Sequence, residues 1–217
     1  MNGHSFIMSA RDQRAAVRNP ERYSAILRAA IRVFSRNGFF NSKVADIARE
    51  AGVADGTVYL YFKNKDHILV SIFEETMDEA ISQGRDAIAG VADPAEKLRR
   101  IAGLHLDRMG TDRDLAIVFQ VELRSSMKFM EQFSQTRVSE YLELIRSVIQ
   151  DGQKEGAFRK DLDANIASKM FFGALDEMVT NWVLSRKAYD PRTTAATVLS
   201  VFFEGVSHQD GQGGVRR

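Results

Sequence analysis

The residues of this chain whose types and spacing could do chemistry fall into two groups. In the first, within residues 44 to 61, Ala48 is small where two helices would cross closely, and Gly52 follows four residues later where a turn favours a left-handed backbone. Ile47, Val53 and Val58 supply apolar positions that would lock such a pair together. These spacings specify a helix-turn-helix, in which a short second helix enters the DNA major groove. Asp55, Gly56, Thr57, Tyr59 and Tyr61 would face the groove, with Val58 and either Leu60 or Phe62 packing behind them. Ser42 would cap the preceding helix. A packed helical hairpin that touches no DNA is the plain alternative.

The second group consists of ionisable residues on otherwise apolar stripes of the later helices. Glu122 lines up with Leu115 and Phe119, Arg124 and Lys128 with Ile117 and Val121, and Asp176 with Phe172 and Thr180. A buried carboxylate without a partner is costly, so these groups must pair with one another or with a ligand. Phe119, Met127, Phe129, Met130, Phe133, Met170, Phe171, Phe172, Met178 and Trp182 are core-forming types that could equally line an adaptable apolar pocket. Catalysis finds little support. His4, His67, His105 and His208 lack metal-ligand spacing, cysteine is absent, and no Gly-x-Ser-x-Gly or Gly-rich phosphate loop occurs.

The elements that must position these groups are helical. The chain has 217 residues and only three prolines, Pro20, Pro94 and Pro191, and apolar spacing between them follows the helical period almost throughout. An all-α fold is expected. Asn19 caps a first helix with Pro20 at its first position and Gly38 at its end, burying Tyr23, Ile26, Leu27, Ala30, Ile31 and Phe34. Short helices over 44 to 51 and 55 to 62 follow, then a long one from 65 to about 90 that could link two domains. Further helices are read at 94 to 109, 112 to 128, 131 to 155, 163 to 187 and 191 to 206.

The domains expected are a flexible basic arm (1 to 18), a helix-turn-helix DNA-binding domain (19 to 66), a helical ligand-binding and dimerisation domain (67 to 207) and a disordered tail (208 to 217). Net charge is +1, but residues 1 to 64 hold ten Lys/Arg against five Asp/Glu, leaving the remainder net acidic. Such asymmetry suits a nucleic-acid module joined to a near-neutral sensor, although a solvated basic face would look the same. Arg11, Arg14 and Arg18 could carry the arm into a minor groove or simply keep it solvated. No apolar run reaches membrane-spanning length, residues 1 to 18 do not read as a secretory signal, and no cysteine is present, so a cytoplasmic protein is expected.

The run Ile47-Ala48-Arg49-Glu50-Ala51-Gly52-Val53, followed by Gly56-Thr57-Val58-Tyr59-Leu60-Tyr61-Phe62-Lys63-Asn64-Lys65-Asp66, resembles the DNA-binding domain of the TetR family of repressors. The resemblance implies that Thr57, Tyr59, Tyr61 and Lys65 contact phosphates or bases, and that Ser42 and Lys43 contact the DNA backbone. Val44 and Ala54 depart from the threonine and serine of many members, which removes two hydroxyl donors. Arginine is scarce on the recognition helix, so specificity would rest on Asp55, Gly56, Thr57 and the tyrosines, with DNA shape adding to it.

Residues 115 to 124 and 172 to 182 are similar to the ligand domain of the fatty-acid-responsive FadR subgroup of that family. That similarity implies double-stranded operator DNA as partner and a small hydrophobic effector, long-chain acyl-coenzyme A, with no other cofactor. Phe119, Glu122, Phe172, Asp176 and Trp182 would line its site, while Arg124 and Lys128 would meet the coenzyme A phosphates. It also implies a homodimer through the last two long helices, where Leu199, Phe202, Phe203 and Val206 give an apolar face. A repressor that answers to another hydrophobic ligand, such as a drug controlling efflux genes, remains the alternative.

Overall fold

The computed structural model describes residues 19–125, 129, 131, 136–185 and 189–207. The arm, the tail and Lys128 lie outside them. The described residues form helices, with no strand beyond one isolated antiparallel bridge between Phe158 and Ser207. Two compact units result, one of Met1–Ala80 with Asp112–Val138, the other of Ile81–Thr111 with Ser139–Arg217.

The first unit opens with α1 (Pro20–Asn37), where Asn19 Oδ1 accepts the Arg22 N–H at 3.0 Å. Its buried face is Tyr23, Ile26, Leu27, Ala29, Ala30, Val33 and Phe34. Ile31, expected on that face, is only half-buried, and Val33 takes the core position instead. Helix α2 (Val44–Ala51) buries Ile47 and Ala48 completely and ends at Gly52, whose φ of 69° and ψ of 32° are left-handed. The next helix, α3 (Asp55–Tyr59), is shorter than its apolar pattern predicts. Helix α4 (Lys65–Ile88) follows, its start closed by Asn64 Oδ1 accepting the His67 N–H at 2.8 Å.

The helix expected over 112 to 128 is interrupted. Helix α6 (Arg113–Ile117) passes into a π turn over Val118–Glu122 and a 3-10 turn over Leu123–Ser125. A π turn inserts an extra residue into the helical register, so side chains beyond it are re-aimed. Phe119 therefore stacks on Phe73 of α4 at 5.5 Å, while Gln120 and Leu123 are buried.

The second unit gathers α5 (Pro94–Thr111), α7 (Arg137–Glu155), α8 (Ala164–Leu184) and α9 (Ala195–Val206). Leu98, Ile101, Leu106, Ile145, Phe171 and Leu175 are at most 1% exposed and form its centre. Asp163 caps α8 through the N–H groups of Asn165 and Ile166. Gln153 of α7 donates to Arg159 O and Leu162 O, both at 2.8 Å, and fixes the α7–α8 connection. The last helix begins later than expected, because Asp190 caps a separate 3-10 turn over Pro191–Thr194.

Candidate functional site

Helices α2 and α3 form the helix-turn-helix. Val58 is the anchor of α3, fully buried, and Phe62 locks the chain behind it, 1% exposed and stacked on Tyr23 at 4.9 Å. Val58 and Phe62, four residues apart, share a face, so Leu60 between them must point away. It is 82% exposed. Leu60 therefore joins the outward surface, and Phe62 alone fills the packing role that sequence reading left open between the two. Asp55, Gly56 and Tyr59 are exposed, Thr57 and Tyr61 half-buried, and Tyr61 lies 6.3 Å from the Tyr23 ring. A methyl group added at Gly56 would meet no atom within 4 Å. The glycine thus leaves open space on the outer surface of the helix, where a duplex could approach.

Ser42 is corrected by the structure. It is 3% exposed and turned inward, donating to Gly38 O at 2.7 Å, so it neither caps α2 nor presents a hydroxyl outward. Lys43 is the N-cap residue, with its own N–H received by Asp46 Oδ2 at 3.1 Å and its side chain exposed.

Lys65, expected on DNA, is turned toward the α1–α2 loop. Its ammonium donates to the carbonyl oxygens of Phe39, Ser42 and Phe40 at 2.6, 2.9 and 3.1 Å and sits 4.6 Å from the Phe39 ring centroid. An ammonium has three protons, and these carbonyls take all three. Lys65 therefore holds the α1–α2 loop in this structure.

The basic face of α1 is organised by Glu50 of α2, which receives Arg32 Nε at 2.6 Å and Arg36 Nη2. Those hydrogen bonds hold the Glu50 carboxyl below the usual carboxylate range. Arg28, Lys43, Arg49 and Lys63 present exposed cationic side chains around the motif.

The residues expected to meet a ligand divide between the two units. Phe119, Glu122 and Arg124 belong to the first. Glu122 Oε2 accepts the Phe39 N–H at 2.6 Å, which ties its carboxylate to the loop leading into the DNA-binding motif. Arg124 is exposed.

Phe172, Asp176 and Trp182 belong to α8 of the second unit. There Phe172 meets His105 edge-on at 5.7 Å and Tyr141 edge-on at 6.0 Å, and the His105 and Tyr141 rings stack at 6.2 Å. His105 Nε2 is buried without a hydrogen-bond partner. Burial pulls the His105 pKa down while the Asp176 carboxylate acts against it, and burial pushes the Tyr141 phenol well up. Three helices thus bring together an imidazole and a phenol whose burial disfavours their charged forms, with the half-buried Asp176 carboxyl acting on the imidazole. Sequence reading missed His105 and Tyr141 as members of this group. The signal was present, since His105 falls on the buried stripe of Leu98, Ile101, Ala102 and Met109, and Tyr141 on that of Leu144, Ile145 and Val148.

A groove of about 680 Å³ runs between α8 and α9, lined by Ile166, Met170, Met178, Val198, Val201 and Phe202 among others. Phe202 packs edge-on against Phe171 at 5.0 Å, Phe203 stacks on Phe158 at 6.4 Å, and Val206 is buried. Most of the residues expected to face a partner are therefore engaged within the chain. Ile166, Met170, Leu184 and Val201, each more than half exposed, form the uncovered apolar surface.

Comparison with known proteins places this arrangement. The family described as bacterial regulatory proteins, tetR family, matches residues 26–72, and the C-terminal region of YsiA-like protein matches residues 73–205. The chain belongs to the TetR family. Among its curated relatives is the fatty acid metabolism regulator protein of Bacillus subtilis, 37% identical over 188 residues, covering 87% of this chain and 97% of that one. The crystal structure of FadR from Bacillus subtilis in complex with stearoyl-CoA matches with a TM-score of 0.80 and 38% identity, over 84% of this chain and 98% of the other. FadR from Bacillus halodurans, described as a fatty acid degradation regulator, matches with a TM-score of 0.83 and 35% identity, over 89% and 100%.

Membership of the TetR family makes this chain a DNA-binding transcriptional regulator and not an enzyme. Among the described residues no helix is long and apolar enough to cross a membrane, and no cluster of side chains could hold a metal ion.

Proposed function

We propose that the chain is a homodimeric repressor of fatty-acid degradation genes that leaves its operator when a long-chain acyl-coenzyme A binds. The observation that carries this reading is the near full-length similarity to the Bacillus subtilis regulator, together with the stearoyl-CoA complex of FadR from that species. The geometry supports it. Asp55, Gly56, Thr57, Tyr59, Tyr61 and Leu60 meet the major groove, with Lys43 and the exposed arginines on phosphate. Phe172, Asp176 and Trp182, joined by His105 and Tyr141, belong to the effector site. Two copies pair through the uncovered face of α8 and α9, as two-fold operators require.

The test is displacement from operator DNA by acyl-coenzyme A of eight to eighteen carbons. Each buried methylene contributes roughly 0.8 kcal/mol, so two added carbons tighten the effector about tenfold until the site is full. Free coenzyme A leaves the complex intact. Release that ignores chain length, or that cationic drugs cause equally, would replace this reading with that of a drug-responsive repressor.

A further inference from the structure

The loop that leaves α1 is gripped from two sides by opposite charges. Gly38 has φ 78° and ψ 150°, so the chain exits the helix without the left-handed turn that would fold the next N–H back onto a helix carbonyl. Phe39 is 3% exposed, and its N–H must find an acceptor elsewhere. It finds Glu122 Oε2 at 2.6 Å, on the last residue of the π turn. The carbonyl of the same residue, with those of Phe40 and Ser42, is held by Lys65 at the first position of α4. A second tie runs alongside, from Ser35 Oγ of α1 to Asp114 Oδ1 of α6 at 2.7 Å. The loop between α1 and α2 sets how the helix-turn-helix is carried on α1; it is tied to α4 through Lys65 and to the π turn through Glu122, while α1 itself is tied to α6 through Ser35.

We propose that Glu122 is a positioning residue for operator binding, a latch by which the π turn holds the α1–α2 loop in its DNA-competent geometry, and that effector release works by opening it. The second clause rests on the effector reading above; the first does not. A π turn suits the role, because reverting it to α-helical register turns every later side chain by about 100° around the axis. Such a shift withdraws the Glu122 carboxylate from Phe39 while leaving the core contacts of α6 in place. The latched state is then the one that binds DNA, and anything that empties it lowers apparent affinity by the fraction left competent.

The experiment compares wild type, Glu122→Ala and Glu122→Gln for operator affinity with and without stearoyl-CoA, with stearoyl-CoA binding followed separately by calorimetry. Glu122→Ala weakens operator binding about tenfold without effector and leaves the effector-bound value unchanged, so the ratio between the two shrinks by the same factor. Glu122→Gln, which keeps an acceptor oxygen, falls between. In selectively ¹⁵N-phenylalanine-labelled protein the Phe39 amide is far downfield, moves upfield in Glu122→Gln, and moves the same way in wild type on adding stearoyl-CoA. Operator affinity within twofold of wild type in both variants, or a Phe39 amide indifferent to Glu122→Gln, would overturn the latch. Should stearoyl-CoA fail to release the wild type, the effector reading falls, while effector-free operator affinity and the Glu122→Gln amide shift still decide the role of Glu122.

Discussion

At the scale of single residues, burial and hydrogen-bond partners divide side chains that look alike in a motif. Lys65 stands among groups that would meet DNA, yet its three protons go to main-chain carbonyls. Lys65→Met should therefore lower stability by about 2 to 3 kcal/mol, since charge-assisted bonds are lost and three carbonyls are left to find other donors. Operator affinity should fall with it, but the dependence of affinity on salt should keep its slope, because no phosphate contact has been removed. Thermal melts and binding isotherms at several salt concentrations read both; a slope reduced by about one would return Lys65 to the phosphate backbone. Gly56 makes the opposite case. Nothing within the chain would meet a methyl group there, so Gly56→Ala should leave the melting temperature unchanged or raise stability by up to about 1 kcal/mol. Operator binding should nevertheless weaken, by about 1 to 3 kcal/mol, if that space is where the duplex lies. Unchanged operator affinity in Gly56→Ala would remove this position from the interface.

At the scale of elements, the second unit places an imidazole where helices α5, α7 and α8 converge. The folded-state pKa of His105 lies below the ordinary histidine value near 6.5, chiefly through burial, with Asp176 opposing the shift. The unfolded chain therefore binds the proton more readily than the folded one. Stability from this group is complete above about pH 6.5 and is lost as pH falls through the lower folded value. Melting temperatures should thus decline on acidification below about pH 6.5, and His105→Gln should flatten that decline. An identical decline in the variant would show that His105 is not its source. Glu50, with its carboxyl pKa lowered by Arg32 and Arg36, follows the same sign in a more acid window. Its contribution is present above the usual carboxylate range and disappears only as pH falls through its own lowered value.

At the scale of the whole molecule, the proposed pairing of two chains would present two recognition helices to a two-fold operator. The surface left uncovered on α8 and α9 carries Ile166, Met170, Leu184 and Val201, an exposed apolar set that an isolated chain would hold in water. Met170→Glu and Val201→Glu should each yield monomers by light scattering while helix content is retained. Linked binding of two half-sites exceeds that of one by at least about a hundredfold, so operator affinity should fall by that order. Variants that stay dimeric would move the interface to another face.

Much of this protein could be read from its sequence, because the signals involved are local. The cap and proline that start α1, Gly38 and Gly52 at helix exits, and the spacing of Ala48, Val53 and Val58 depend on neighbours within a turn or two. They identify the fold and the DNA-binding motif. Partner choice at long range is different. Lys65 on the loop carbonyls and Glu122 on the Phe39 N–H join residues 23 to 83 positions apart through main-chain groups that every sequence carries alike. Composition cannot show which carbonyl or N–H has been left without a helical partner. The π turn is equally silent, because one inserted residue changes which side chains share a face without altering the order of residues. Leu60 lies between these cases: its two-residue offset from both Val58 and Phe62 allows the outward position, but only the burial of Phe62 decided which of the two would pack.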